Sequence, residues 1–395
     1  MVKEKEYIAT RTNYLPYGKQ WVDDEDIETV ISILKGDYLT TGPAIQNFEQ
    51  SIAEYTGSKY AVSFSSGTAA LHGACHVAGI GGGDEVITTP MTFAASANCI
   101  LYQGATPVFA DIDEKTYNID IDKIAEKITE NTKAIIPVHF TGQPVDLDEL
   151  HALAAEHNLI VIEDAAHALG ATYKGKPVGG LSAMTMFSFH PVKHITTGEG
   201  GVITTNNEEY YKKLIQFRSH GITREKELLQ DDDHGPWYYE MQFLGFNYRM
   251  TDIQAALGIS QLKKSAFFLK QREDIAEKYN QAFSDLPEIK IPFQATMRQS
   301  SWHLYIIRLD LLKLTASRKI VFEDLQKQNI GVNVHYIPVH TLPYYQELGY
   351  KRGSLPIAEE LYEEVISLPI FPKMTEKDVE DVVAAVRNTI IRYTR

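Results

Sequence analysis

Cysteine is scarce: the chain of 395 residues has two, Cys75 and Cys99. That number excludes a disulfide framework and a Cys-rich zinc site. Both fall in helix-like segments, where a buried free thiol is the expected state. No metal is expected. Long apolar runs are missing as well, since none approaches the ~18 residues of a membrane span. The first residues, "MVKEKEYIATRTNYLPYG", lack the apolar core of a secretory signal. A soluble, cytoplasmic protein with no membrane partner is therefore expected. Positive charge is in deficit, with 38 Lys and Arg against 52 Asp and Glu, a net −14. That balance argues against nucleic acid or an anionic lipid surface as partner. It does not exclude a phosphorylated ligand, because a pocket can be lined by backbone N–H groups. Tandem repeats and low-complexity tracts are absent too.

What is present is ordinary globular composition, 44% hydrophobic and 23% charged, in a chain too long for one core. From about residue 58, short apolar runs alternate with helical patterns: "YAVSFSS", "DEVITTP", "TPVFADI", "KAIIPVHF" and "LIVIEDAA". These runs are apolar on both faces, as in a mostly parallel sheet covered by helices, and the alternation reads as an open α/β fold. "AMTMFSFH" and "GGVITTN" lie too close together for a crossover helix, so they are expected to pair antiparallel. Residues 1–264 are read as a large α/β domain with an N-terminal arm, and 265–395 as a smaller α+β domain containing the strands "HLYIIRLD" and "GVNVHYIP". The irregular stretch from Gln216 to Gly245 is long for a compact domain and points to a functional or interface loop. "GIGGGDE" follows a helix and lacks dinucleotide-fold spacing, so it reads as a helix cap and turn.

In an open parallel sheet, ligands bind beyond the carboxyl ends of the strands, and four polar signals fall there. "SFSSGT" opens a helix at Gly67 and Thr68, which is either a plain N-cap or a phosphate site. "VIEDAAHALG" ends a nearly all-apolar strand at Asp164, a carboxylate that needs a partner. "MTFAASAN" puts Phe93 at another strand end, as a core side chain or a platform for a flat ring. "MFSFHPVKHITTGEGG" carries Ser188 and Lys193; a lysine among apolar strands has its pKa lowered by desolvation, which favours the neutral amine. Taken alone, such a lysine is more often a solvated strand-end residue. Together, a phosphate site, an acid for a ring nitrogen, a flat aromatic and an amine nucleophile are the parts of a pyridoxal-phosphate site. His167, three residues past Asp164, is placed to lie over such a ring; His190 and His194 flank Lys193.

"EDAAHALGATYKGKPVGG", "FSFHPVKHITTGEGG" and "FNYRMTDIQAALG" resemble the DegT/StrS-type sugar aminotransferases, pyridoxal-phosphate enzymes of fold type I, and the resemblance spans nearly the whole chain. It implies pyridoxal 5′-phosphate as cofactor, with Lys193 forming a Schiff base to it and Asp164 pairing with its ring nitrogen. It also implies that Gly67, Thr68 and Ser188 hold the phosphate and Phe93 stacks on the ring. Asn247, from "FNYR", would reach the phosphate of the neighbouring subunit's cofactor, making the active unit a homodimer. "YLTTGP" and "NVHYIPVH" are similar to the pseudaminic-acid branch of that family. There, Tyr17, the segment Asp37, Tyr38, Leu39 and Thr40, and the segment Asn333, Val334, His335 and Tyr336 would face a UDP-sugar. The expected reaction moves an amino group from L-glutamate to C4 of UDP-2-acetamido-2,6-dideoxy-β-L-arabino-hex-4-ulose. The alternatives are another UDP- or dTDP-4-keto-6-deoxy sugar, or a non-catalytic regulator on the same fold. Sugar dehydratases similar to this family carry histidine where this chain has Lys193, which argues against that activity.

Overall fold

Seven strands build the central sheet: β1 (Tyr60–Phe64), β2 (Glu85–Thr88), β3 (Thr106–Phe109), β4 (Thr132–Ile136), β5 (Ile160–Asp164), β6 (Met184–Ser188) and β7 (Gly201–Thr205). The structure is a computed structural model that describes residues 10–231 and 235–395. Strand order is β1-β7-β6-β5-β4-β2-β3. β3, β2, β4, β5 and β6 run parallel, while β7 is antiparallel to both of its neighbours. The local β6–β7 pairing expected from the short connection is thus present, with Ser188 opposite Gly201.

Helices cover both faces, which is why the strands are apolar on both sides. One face packs Val62, Leu71, Ile100, Met184 and Phe217 into a core with the helix Gly67–Val77. The other packs Phe48, Ile52, Phe187, Val202 and Met250 beneath the helices Pro43–Thr56 and Asp252–Lys263. Cys75 and Cys99 are buried free thiols in helices. "GIGGGDE" is the expected turn: Gly79 has φ +71, and Asp84 accepts the Gly81 N–H at 2.9 Å.

After the helices Asp252–Lys263 and Ser265–Phe283, the chain forms a second core around β8 (Ile289–Lys290), β9 (Tyr305–Leu309) and β10 (Val365–Leu368). The helix Glu376–Tyr393 covers it with Val379, Val382, Val386 and Ile390. Leu15 belongs to this core, and its backbone bonds those of Asn329 and Gly331, so the N-terminal arm is laid on the second unit. "GVNVHYIP" is not the strand expected. It makes one bridge, Asn333 to Ser367. Beyond that bridge two of its N–H groups go to side chains: Val334 donates to Asn333 Oδ1 at 2.8 Å, and Tyr336 to Met91 Sδ at 3.3 Å. The stretch 216–245 contains the short ribbon Ile222–Thr223 with Glu240–Met241; its residues 232–234 lie outside the described ones.

Candidate active site

The carboxyl ends of β1, β5 and β6 lie on the same edge of the sheet, with β7 between β1 and β6, and a polar group stands at or just after each. After β1, Ser66 caps the helix Gly67–Val77 by accepting the Ala69 N–H at 3.1 Å. Ser65 donates its N–H to the Tyr248 carbonyl at 2.7 Å. The N–H groups of Gly67 and Thr68 belong to the first turn, where a helix has no carbonyl to offer them. A Cβ added at Gly67 would stand 3.1 Å from Ser188 Cβ and 3.3 Å from Ser188 Oγ. The loop therefore closes directly on the end of β6, and the Gly67 N–H, Thr68 and the Ser188 hydroxyl form one small polar cradle. Gly201 permits that approach: a Cβ there would meet Gly67 N and the Ser66 carbonyl at 2.6 Å. The N-cap reading of "SFSSGT" is met, and such a cap leaves the next two N–H groups available to an anion.

Asp164 ends β5 fully enclosed. Oδ2 accepts from Ser96 Oγ at 2.6 Å and Oδ1 from the Ala166 N–H at 3.0 Å. Burial raises its pKa, opposed by those two bonds and by the charge of Lys193. No lysine or arginine closes a salt bridge to it among the described residues, so its buried charge is met only by those neutral hydrogen bonds and the more distant Lys193.

Lys193 stands in the turn after β6, its N–H donated to the His190 carbonyl at 2.9 Å. Its amine lies 3.4 Å from His303 Nε2. Burial lowers its pKa to about 8, with Asp164 opposing and Arg272 adding to the fall. The sequence reading anticipated that desolvation. His167 is buried, with Nε2 3.1 Å from the Tyr336 hydroxyl and its ring 4.3 Å from that of His303. Burial first, then Lys193, His335 and His194, pushes His167 well below the usual imidazole range. It is a neutral ring. His194 is buried too, bonded to the Ser301 carbonyl at 3.1 Å, whereas His190 is exposed.

Phe93 keeps 63% of its surface open, with its ring 6.4 Å from Tyr336. An aromatic left open beside a buried cluster has the form of a platform rather than of a core side chain. Tyr17 lies with its ring 5.3 Å from His335; burial raises its pKa, and a hydrogen bond to Asn333 opposes. Tyr17, Asn333, His335 and Tyr336 thus make one wall that meets the His167, His303 and Lys193 cluster at the Tyr336–His167 bond.

Asp37, Tyr38, Leu39 and Thr40 are not brought to that wall. All four are exposed; Thr40 bridges to Thr251, and the Leu39 carbonyl takes the Asp252 N–H at 3.0 Å. Asn247 is likewise exposed, bridged to Ser219 four residues before Thr251. The two segments share one open surface.

Three groups here were not foreseen. Ser96, which binds Asp164, stood in the quoted "MTFAASAN", where a serine three residues after Phe93 gave no sign of its long-range partner. His303 and the buried Arg272 come from the second unit. His303 was signalled only by its place in the largely apolar "SSWHLYII", and Arg272, within the charged "FLKQREDI", by nothing local.

A buried acid at the end of a parallel strand, an amine of lowered pKa after the neighbouring strand and a polar cradle where that strand's end meets the loop after β1 fit pyridoxal phosphate, and the fold is that of the type I transferases. The class is that of pyridoxal-phosphate-dependent aminotransferases. The chain belongs to the DegT/DnrJ/EryC1/StrS aminotransferase family, whose profile matches residues 20–387. It is 43% identical over 385 residues to the spore coat polysaccharide biosynthesis protein SpsC of Bacillus subtilis, covering 97% of this chain and 99% of that protein. Its structure superposes with a TM-score of 0.90 on Helicobacter pylori PseC, an aminotransferase involved in the biosynthesis of pseudaminic acid. There the identity is 35%, and 96% of this chain and 100% of that one are covered. The PLP-form of Spr1654 from Streptococcus pneumoniae matches at TM-score 0.89 and 33% identity, over 96% and 99% of the two chains. The protein is a sugar aminotransferase that uses pyridoxal phosphate. Among the described residues no helix is long and apolar enough to cross a membrane.

Proposed function

We propose that the protein transfers the amino group of L-glutamate to C4 of UDP-2-acetamido-2,6-dideoxy-β-L-arabino-hex-4-ulose, giving the 4-amino sugar used in pseudaminic acid synthesis. One observation carries the reading: the wall of Tyr17, Asn333, His335 and Tyr336 joins the Asp164–Lys193 cluster through the 3.1 Å bond between Tyr336 and His167. A sugar on that wall lies within reach of the lysine. The likeness to PseC over the whole chain supports the choice of sugar. The likeness to SpsC carries a second reading, a different 4-keto-6-deoxy sugar, linked to UDP or dTDP, of another surface polysaccharide.

When bound, pyridoxal phosphate supplies an electron sink for the carbon that carries the amino group. In this reading the chain's residues do the rest. The Gly67 and Thr68 N–H groups and the Ser188 hydroxyl hold the phosphate, with the helix dipole adding attraction. Asp164 keeps a proton on the ring nitrogen, and Ser96 and Ala166 hold its carboxylate in place. Phe93 supports the ring from the open side. Lys193 Nζ anchors the cofactor and, once released, takes the α-proton of the donor. His167, neutral, packs over the ring without adding charge. Residues 1–264 and 265–395 act as the large and small domains, and the reaction takes place in the cytoplasm.

The test follows the visible band of the bound cofactor. Glutamate is expected to bleach it, and the β-L-arabino 4-keto sugar to restore it. Recovery only with a D-configured or dTDP-linked sugar would leave the aminotransferase in place and overturn the choice of substrate.

The open surface that carries Asn247 and Asp37–Thr40 is where the second subunit of a homodimer would sit, with Asn247 reaching the partner's phosphate cradle. Asn247→Ala is expected to weaken cofactor retention about tenfold, the loss of one charge-assisted hydrogen bond. Mixing Asn247→Ala with Lys193→Ala chains checks the geometry. A residue that acts across the interface gives hybrid dimers one fully equipped site and restores activity; one that acts within its own subunit gives a different pattern. In that case both sites of a hybrid keep a defect, and the crossed arrangement is refuted.

A further inference from the structure

His303 has no assigned part in the reaction, yet its ring is the side chain that meets the Lys193 amine, at 3.4 Å from Nε2. The ring is buried, and its other nitrogen, Nδ1, has no hydrogen-bond partner. Leaving a buried donor unpaired is costly, and a leucine of similar size would fill the space without that cost. The ring is also held from three sides. His167 lies 4.3 Å away and His194 5.4 Å, centroid to centroid. Behind it, Arg272 donates to the carbonyls of Trp302 and His303, each at 3.2 Å, and to that of Ile370 at 2.9 Å. Arg272 is itself buried, and no carboxylate pairs with it among the described residues. A buried arginine spent on three carbonyls fixes the backbone that aims the imidazole.

We propose that His303 is a catalytic partner of Lys193, accepting a hydrogen bond at Nε2 from the lysine amine whenever that amine is free of the cofactor, with Arg272 as the positioning residue behind it. Anchoring and proton transfer require opposite things of Lys193: a bond to the cofactor in one, and a loose but aimed amine in the other. A free four-carbon side chain has many rotamers, and one acceptor at the right place selects among them. No proton passes to the imidazole. Lys193 gains its proton from the donor, and Nε2 accepts the hydrogen bond of the resulting ammonium. The ring suits this because burial, then the charges of Lys193, His167, His194 and Arg272, keep it neutral far below the usual histidine range. Asp164 is the remaining charge that acts on Lys193 from the facing strand, and it favours the ammonium.

The inference rests on Lys193 being the cofactor lysine, which Lys193→Ala tests separately by loss of the visible band. The experiment uses enzyme loaded with pyridoxamine phosphate, in which the lysine is free. The pH dependence of Lys193 acetylation by acetic anhydride is read by mass spectrometry. A single-turnover glutamate reaction is followed in parallel across pH on the pyridoxal form. In His303→Leu the labelling midpoint is expected to move down by about one pH unit, because the charged amine loses its acceptor. The glutamate reaction is expected to slow by about 10²-fold, in the range of a misplaced acid–base group. His303→Gln, which keeps an acceptor near the position of Nε2, is expected to return the midpoint to that of the wild type and most of the rate. A midpoint in His303→Leu that coincides with the wild type overturns the proposal whatever the rate does, since a packing defect slows the enzyme without moving a titration. If His303→Leu does not fold, Arg272→Lys serves in its place. It keeps the charge and loses the three-carbonyl grip, and an unchanged midpoint and rate there also refute the assignment.

Discussion

Lys193→Ala is expected to abolish the visible band of the purified protein and to lower turnover by about 10⁴-fold or more, the scale seen when a covalent nucleophile is removed. The structure says why no neighbour replaces it. The Lys193 amine stands 3.4 Å from His303 Nε2 and in the field of Asp164, and among the described residues no other lysine has its pKa lowered by burial to that degree. Its lowered pKa, about 8, follows from burial, with Arg272 adding to the fall and Asp164 opposing it. The sign gives a second readout. Only the neutral amine attacks a carbonyl, so uptake of cofactor by the cofactor-free protein rises with pH and levels off above about 8. Stability follows the same group. The folded pKa lies below the ordinary lysine value of 10.5, so between those two values the unfolded chain binds more protons than the folded one. The cofactor-free fold therefore gains stability at this residue as pH rises through that window. A wild-type protein that shows no band with added pyridoxal phosphate, or an alanine variant that keeps one, would sink the assignment of Lys193.

Much of this was legible in the sequence because the fold places chemistry at predictable points. Strands apolar on both faces announce a covered parallel sheet, and a charged residue at the end of such a run announces a site. Asp164, Lys193, Ser188 and Gly67 were all readable in that way, since each lies at a strand end or on the turn that follows one. The short link from "FSFH" to "GGVI" even gave the antiparallel β6–β7 pair. What could not be read depends on long-range closure. Ser96 meets Asp164 and His303 meets Lys193 across gaps in sequence that no local pattern spans. "GVNVHYIP" has strand composition, but it bridges a strand only at Asn333 among the described residues, while the Val334 and Tyr336 N–H groups are taken by the Asn333 and Met91 side chains, and β-propensity yields to such local context. The substrate segments divided for a related reason. Asn333–Tyr336 and Tyr17 meet within one chain, whereas the exposed Asp37–Thr40 lies with Asn247 on a surface whose occupant a single sequence does not specify.

Asp164→Asn carries the second large effect, and here activity and stability are expected to part. The amide keeps the shape: its oxygen still accepts the Ala166 N–H, and its NH₂ donates to Ser96 Oγ. What it loses is the negative charge that keeps a proton on the cofactor's ring nitrogen, so the ring no longer draws electrons efficiently. Turnover is expected to fall about 10³-fold, at the upper end for removal of one preorganised electrostatic partner, while the apparent affinity for the sugar changes little. The cofactor-free fold responds in the opposite direction. Burial raises the carboxyl pKa above its ordinary 3.8, outweighing the help from Ser96, Ala166 and Lys193. A carboxyl of raised folded pKa binds its proton more tightly in the folded state than in the unfolded one. Its ionisation therefore removes stability as pH climbs through and above that range. At neutral pH the wild-type protein without cofactor bears that cost, and the asparagine variant does not. Thermal unfolding of the two cofactor-free proteins at pH 7 should show Asp164→Asn at least as stable as wild type, and the difference should close as the pH is lowered toward 4. Adding pyridoxal phosphate should reverse the order, because the ring nitrogen gives the wild-type carboxylate the partner it lacks. A variant that turns over within tenfold of wild type would refute the pairing of Asp164 with the ring. A destabilised variant without cofactor would instead show that the charge serves the fold. The expected pattern, weaker alone and stronger when loaded, is that of a carboxylate kept buried for its ligand.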